Sequence, residues 1–183
     1  MGCPPVQGKR NDIAIKKEAL ENGANIRDII STSTNNQVIQ YAAKWLTYFE
    51  KERNWHPEVW WFWGPTSTGK SHRAFEIMND PAKRHIQRNS SKWWDGYDAH
   101  EDVIIEEYRG SFCKFSELLG LLDKYPLKVE VKYGFRSFLA KRIIITSNQS
   151  PQQIWWSRTE EQTDQLLRRI NHIEHMTIKY TGK

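Results

Sequence analysis

Up to Pro57 the apolar positions follow a helical period broken by short polar stretches. Asp12 can cap a helix running to about Asn22, with Gly23 as its stop. Asn25 to Ile30 suits a short second helix. Asn35 or Asn36 can cap a third, where Val38, Ala42, Trp45 and Phe49 form an apolar stripe that Pro57 ends. From Glu58 the pattern changes. Val59 to Trp63, Asp102 to Glu107 and Arg142 to Ser147 read as buried strands, and Ile173 to Ile178 suits a last strand. Between them, Ser71 to Met78, Ser116 (as cap) to Lys124 and Thr159 to Ile170 read as helices, the last with Leu166, Leu167 and Ile170 inward. Val129 to Leu139 reads as a hairpin turning near Tyr133-Gly134. Strands alternating with helices predict an α/β fold with a mostly parallel sheet and one inserted hairpin.

Composition narrows this picture. The 183 residues are 38% hydrophobic and 13% aromatic, with nine tryptophans, enough for a real core. Cys3 and Cys113 make neither a disulfide framework nor a metal cluster, so a reducing compartment is expected. No apolar run nears the ~18 residues of a membrane span, and Met1 leads into Gly2-Cys3-Pro4-Pro5 without a signal-peptide pattern. Residues 1–11 read as a linker, which implies a piece of something longer. The net charge of +5 weakly favours an anionic partner. Most of the excess lies after residue 128, with 9 basic against 5 acidic side chains. Lys128, Lys132, Arg136, Lys141 and Arg142 crowd together there. Such a cluster is ordinarily a solvated face, and only its structural setting can make it a binding site. Trp93-Trp94-Asp95-Gly96-Tyr97 is conspicuous and is expected to pack.

The chemistry concentrates in three places. Gly64-Pro65-Thr66-Ser67-Thr68-Gly69-Lys70-Ser71 satisfies G-x-x-x-x-G-K-[ST], between a buried strand and a helix. Its glycines let backbone N–H groups curl around phosphate oxygens, and the next helix adds its positive end. Lys70 suits the β- and γ-phosphates and the Ser71 hydroxyl suits Mg²⁺. The second place is Glu106-Glu107, closing a strand 36 residues after Lys70. Glu106 is assigned to the metal and Glu107 to the general base. Adjacent acids point to opposite faces of an ideal strand, so both are expected at its fraying end. Third, Ile143-Ile144-Ile145-Thr146-Ser147-Asn148 ends in an amide able to hold a water or the γ-phosphate.

The ordered set resembles the superfamily 3 helicase domain of replication initiator (Rep) proteins of small circular single-stranded DNA viruses. The resemblance rests on Trp60 to Ser71, Val103 to Gly110, Tyr125 to Lys132, and Ile144 to Asn148 followed by Pro151. Gly8-Lys9-Arg10-Asn11-Asp12 is similar to the stretch after the nuclease domain in these proteins. It implies an AAA+-like core at 58–183, a helical oligomerisation region at 12–57 and a ring, typically a hexamer. ATP and Mg²⁺ are the implied cofactors, single-stranded DNA the partner, and the host nucleus the location. The resemblance also implies an arginine finger at Arg168 or Arg169, and a DNA-contacting hairpin with Lys132 at the matching lysine. Lys128, Tyr133 and Arg136 join it as expected DNA contacts.

Two departures stand out: Glu106 where the family often has Asp, and Tyr133-Gly134-Phe135 where small residues commonly follow the lysine. Tyr41-Ala42-Ala43-Lys44 mimics the nicking tyrosine motif of the family's nuclease. It sits in an amphipathic helix with no His-x-His before it, so nicking is assigned to an upstream domain of the full-length protein. The expected function is an ATP-driven helicase on single-stranded DNA in rolling-circle replication. The alternatives are an AAA+-type ATPase remodelling protein or duplex DNA, and a non-enzymatic nucleic-acid binder with a vestigial phosphate loop.

Overall fold

The computed structural model describes residues 11–88, 91, 93–132 and 134–181. The expected linker lies outside these residues except for Asn11, and Tyr133 lies outside them too. The chain divides into two compact units, one through Lys51 and one from Glu52 onward.

The first unit consists of α1 (Asn11–Glu21), α2 (Ile26–Thr32) and α3 (Asn36–Phe49). Asn25 and Asp28 form a reciprocal capping box at α2, and Asn35 caps α3 through the Gln37 N–H. Leu20, Ile29, Val38, Ala42 and Leu46 make a small core. The buried stripe of α3 is thus 38/42/46, while Phe49 is 68% exposed at the helix end. That helix stops at Phe49 and not at Pro57. Tyr41 packs against this core within α3.

Residues 52–57 group with the second unit, not with the helices. Arg53, only 1% exposed, explains part of this. Its guanidinium donates to the carbonyls of Gly120, Leu121 and Tyr125 at 2.8–3.3 Å. Burial pushes its pKa down, opposed by the charges of Tyr97 and Asp123. Trp55 Nε1 similarly donates to Ala140.

The second unit is built on a five-stranded parallel sheet. Its strands are β1 (Glu58–Trp63), β2 (Arg84–Arg88), β3 (Asp102–Glu106), β6 (Arg142–Ser147) and β7 (His172–His175), in the spatial order β2-β3-β6-β1-β7. β4 (Lys128–Val131) and β5 (Gly134–Ser137) form the separate antiparallel hairpin. The helices are α4 (Lys70–Ile77), α5 (Phe115–Leu122), α6 (Pro151–Ile154) and α7 (Glu160–Leu167). The interior strands are apolar on both faces, as a parallel sheet covered on both sides requires. On one face Val59, Trp61, Val103, Ile105, Ile143 and Ile145 meet an aromatic-rich core with α5 and α7 residues. On the other, Phe62, Ile104 and Ile144 meet Ala74 and Met78 around α4. This is the expected α/β fold, a parallel sheet covered by helices with one separate hairpin.

β2 and α6 have no counterpart in the sequence reading. The inward positions of β2 are His85 and Gln87, so no apolar run announces it. Gln87 Nε2 donates to the carbonyls of Ser91 and Trp93, and His85 Nε2 pairs with Gln87 Oε1 at 3.2 Å. Burial pushes the His85 pKa below its ordinary value, with Gln87 opposing. α5 begins after Lys114, whose N–H is held by Glu117, and not at Ser116. Trp94 and Tyr97 pack in the core as expected, while Trp93 is 40% exposed.

Arg53 acts as a cap on the C-terminal end of α5, where a cation meets both unpaired carbonyls and the negative end of the helix. Arg53→Met should cost about 2–4 kcal/mol of stability in urea unfolding, since charged hydrogen bonds are lost and buried carbonyls orphaned. Amide exchange should rise first in α5.

Candidate nucleotide site

The site forms where three parallel strands end together. Trp63 at the end of β1 stands opposite Ser147 at the end of β6, and Ile105 of β3 opposite Ile145. The segments after these strands therefore emerge along one carboxyl edge, the place where open α/β sheets bind ligands.

The loop after β1 is shaped by positive φ angles at Gly64 (141°), Ser67 (62°) and Gly69 (81°) before α4 begins at Lys70. Buried Thr68 closes it, donating from Oγ1 to the Pro65 carbonyl at 3.0 Å. Lys70 Nζ folds over the loop and donates to the carbonyls of Gly64 (2.8 Å) and Pro65, with Thr68 Oγ1 at 3.3 Å. Burial pushes its pKa below the ordinary lysine value, and the Glu107 carboxylate opposes that shift. The lysine and the second acid are thus electrostatic neighbours. Ser71 is half-buried in the first turn of α4, and Pro65, Thr66 and Ser67 are exposed.

The two acids part at the end of β3. Glu106 keeps strand geometry and is largely buried, with Oε2 3.5 Å from Arg88 Nε. Glu107 has φ 51°, the left-handed region that costs a non-glycine residue about 1–3 kcal/mol. Its N–H donates to Thr146 Oγ1 at 3.1 Å, and the Tyr108 N–H to the Thr146 carbonyl at 2.7 Å. Ser147 Oγ in turn donates to the Tyr108 carbonyl at 2.9 Å. Neighbouring β6 therefore fixes the backbone reversal that exposes Glu107. Asn148 is exposed one residue past β6. Among the described residues no three His, Cys, Asp or Glu side chains converge on a metal. A Mg²⁺ ion, which takes few protein ligands plus substrate phosphates and water, fits a hydroxyl and one carboxylate such as Ser71 and Glu106.

The two arginines differ. Arg169 Nε and Nη2 both donate to Asp123 Oδ2 of the same chain, at 3.1 and 2.6 Å. Burial favours the neutral form of Asp123, but the Arg169 and Lys124 hydrogen bonds and the charges of Arg169 and His56 hold its pKa below the usual value. Arg168 is exposed, bonded to the Asp164 carbonyl at 3.3 Å.

The basic cluster resolves into ion pairs. Lys132 meets Asp95 at 3.6 Å, Lys141 meets Glu101 at 2.5 Å, and Arg142 holds Asp102 through two bonds. Arg136, expected among the DNA contacts, faces inward: it is 5% exposed and paired with Asp98. Strand alternation is the reason, since Arg136 stands opposite buried Val129 on the inner face of the hairpin. Lys128 and Lys132 remain on the exposed side, with Phe135 45% exposed beside the turn.

Residues that the sequence reading missed complete the edge. Arg88 touches Glu106 from β2. It also lines an open cavity of about 370 Å³ with Ile86, Gln87, Ser91, Trp93 and Asp95. Segment 176–180, following β7, lies across the phosphate loop: the Met176 N–H donates to Trp63 and the Tyr180 N–H to Ser67. A lone aromatic near a chain end carries no sequence signal for either contact.

The RNA helicase family model matches residues 60–149, from β1 through the end of β6. The replication-associated protein of goose circovirus is 39% identical over 67% of this chain and 40% of its own length. Those of porcine circovirus 1 and canary circovirus are each 33% identical, over 94% and 91% of this chain and 56% and 57% of theirs. A solved DNA replication initiation factor aligns with 94% of this chain and 47% of its own at 14% identity, TM-score 0.41. The chain spans about half the length of the curated relatives it matches. With the phosphate loop, the acid pair and the polar strand end brought to one edge, and with these relatives, the chain belongs to the replication-associated protein family of circular single-stranded DNA viruses, and to its superfamily 3 helicase domain.

Proposed function

We propose that this chain hydrolyses ATP and uses the cycle to translocate along single-stranded DNA, as the replicative helicase of a rolling-circle initiator. The observation that carries the reading is the gathering of Lys70, Glu107 and Asn148 at adjacent ends of β1, β3 and β6. Lys70 exchanges its loop carbonyls for β- and γ-phosphate oxygens. Ser71 and Glu106 hold Mg²⁺, which when bound neutralises charge on those oxygens. Glu107 accepts a proton from the attacking water, and the Asn148 amide orients that water. The backbone reversal at Glu107 supports the division of labour, because it separates the base from the acid that Arg88 engages. Arg168 serves as the finger in a neighbouring subunit of a homo-oligomeric ring, a hexamer in this reading, because Arg169 is committed to Asp123. The nicking domain lies upstream in the full-length protein, and the work takes place in the host nucleus.

The ion pairing of the basic cluster favours a second reading, an AAA+-type ATPase that remodels protein or duplex DNA. ATPase stimulation by single-stranded DNA separates the two: its absence would favour the remodeller.

Lys70→Ala should lower ATP turnover by about 100-fold or more, since a fixed positive charge on the reacting phosphates is lost. Glu107→Gln should lower turnover comparably yet bind and retain ATP, because shape survives and only the base is removed. Retention in Glu106→Gln instead would reverse the two assignments. Near-normal turnover in Lys70→Ala would sink the phosphate-loop reading.

The arginines should separate by stability. Arg168→Ala should cut turnover by about a thousand-fold without changing the unfolding midpoint. Arg169→Ala should lose about 1–3 kcal/mol of stability through Asp123. Mixing Arg168→Ala with Lys70→Ala should restore some activity at mixed interfaces. Equal stability loss in both single variants would leave the finger unassigned.

Lys132 offers a flexible point charge, suited to phosphate and not to bases. Its exposed pair with Asp95 is worth at most about 1 kcal/mol, so a phosphate can displace it. Lys132→Ala should weaken single-stranded DNA binding for all sequences alike and shrink the salt slope by roughly 0.7. Asp95→Asn should strengthen binding. Arg136→Ala should instead destabilise the hairpin region, because it removes the cation paired with the buried Asp98 carboxylate. Unchanged DNA affinity in Lys132→Ala would remove the hairpin from the mechanism.

A further inference from the structure

The phosphate loop has an outer wall that its motif does not specify. After β7 the chain runs along the loop from Gly64 to Gly69. His175 stacks on Trp63 at 3.6 Å with the rings 2° from parallel, and the Met176 N–H donates to the Trp63 carbonyl at 2.8 Å. The Tyr180 N–H donates to the Ser67 carbonyl at 2.9 Å, so the segment is pinned at both ends of the loop. Between these points, the Tyr180 ring lies against Gly69, where a Cβ would come within 3.0 Å of three of its atoms.

Tyr180 is also clasped to the first turn of α4. Its Oη lies 2.8 Å from His72 Nε2, with the ring centroids 4.4 Å apart and 35° inclined. On its other side His72 Nδ1 faces Glu76 at 3.4 Å. With Nδ1–H turned to that carboxylate, Nε2 is the acceptor and the Tyr180 hydroxyl donates. Yet Tyr180 remains 48% exposed, and His72 is exposed as well. The result is a fixed, half-open aromatic ledge two residues past Lys70, beside the turn that receives the phosphates.

We propose that the Tyr180–His72 ledge is the nucleobase subsite of the ATP site, with Tyr180 as its stacking face. This rests on the ATP reading above. A triphosphate seated in the loop and on the first turn of α4 leads its nucleoside out beside that turn, and a rigid aromatic face is what a base binds there. The polar atoms of the ledge are already engaged with one another and with Glu76. It therefore presents ring faces and no donor–acceptor code, so the base is recognised by stacking area and not by its edge. Purine nucleotides should be favoured over pyrimidine ones, and ATP and GTP should bind alike.

The test compares nucleotide with inorganic tripolyphosphate, both measured by calorimetry on this chain and its variants. Tyr180→Ala should weaken ATP by about ten-fold, within the range that loss of one base–aromatic stack gives. It should leave tripolyphosphate affinity within about two-fold. Tyr180→Phe keeps the ring and loses the hydroxyl, and should bind ATP nearly as the parent does. Equal weakening of ATP and tripolyphosphate in Tyr180→Ala would make the segment a support for loop shape and overturn the base assignment. Unchanged ATP affinity would overturn it too, and so would tighter binding of both ligands, which would mark the segment as a shield over the loop. A parent chain that binds neither ligand would overturn the ATP reading itself and this proposal with it. A chain that binds tripolyphosphate and ATP equally well would overturn the base subsite alone.

Discussion

The parallel pairing of β1 with β6, in the register that sets Trp63 against Ser147, decides where the chemistry of this chain can occur. Each strand contributes one polar segment, and each lies immediately past its last paired residue. A slip of one residue would turn every side chain of a strand to the other face. It would carry Ile143 and Ile145 out of one core and into the other. Because both faces are apolar and tightly filled, that slip is blocked by packing and not by any group at the site. The hydrogen bonds from Glu107 and Tyr108 to Thr146 then extend the register one step past the end of β3. They hold the second acid in a conformation that an isolated strand end would not adopt.

Charge behaves differently in space than along the chain. Asp95, Asp98, Glu101 and Asp102 meet Lys132, Arg136, Lys141 and Arg142, each in the same order. A basic cluster in one segment is therefore matched by an acidic one some 40 residues earlier, and the net excess there is small. The consequence is mechanical. The Trp94 N–H donates to the Glu130 carbonyl and the Lys132 N–H to Asp95, so the hairpin is fastened to the segment that leads into β3. A displacement of the hairpin has to carry residues 94–102 with it or break these bonds. That segment runs into β3, whose last residue is Glu106, the first acid of the pair.

What could be read from the sequence was whatever a local pattern encodes. The phosphate loop, the buried strands and the α/β alternation are short-range features, and they appear in the fold where the spacing puts them. Arg136 was misread because a hairpin strand alternates, and nothing in a single strand says which face is inward until the sheet behind it is known. β2 was missed because its buried positions are His85 and Gln87, which pair with one another while Gln87 also donates to the loop that follows. Arg53 looked like one more surface charge, yet its partners are carbonyls 67 to 72 residues away. The difference in setting between Arg168 and Arg169 comes from Asp123, again far off in sequence. For Arg53, Arg136 and Arg169 the missing information was the identity of a distant partner.

The glycines of the phosphate loop show the same point from the opposite side. Gly64 and Gly69 are expected in this motif because the backbone must turn where a side chain would be strained, and their φ angles of 141° and 81° agree with that. But a Cβ on Gly64 would stand 2.1 Å from the Met176 carbonyl oxygen, and one on Gly69 would meet the Tyr180 ring. Both glycines therefore serve a second surface, the segment that leaves β7. β7 is a four-residue strand that, among the described residues, stands at the sheet edge and pairs with β1. Its attachment is reinforced by the close backbone approach that only glycine allows at those two places. The loop and its outer wall thus depend on one another: the segment needs the bare backbone of the loop in order to dock, and the loop gains a rigid flank from a part of the chain more than 100 residues away.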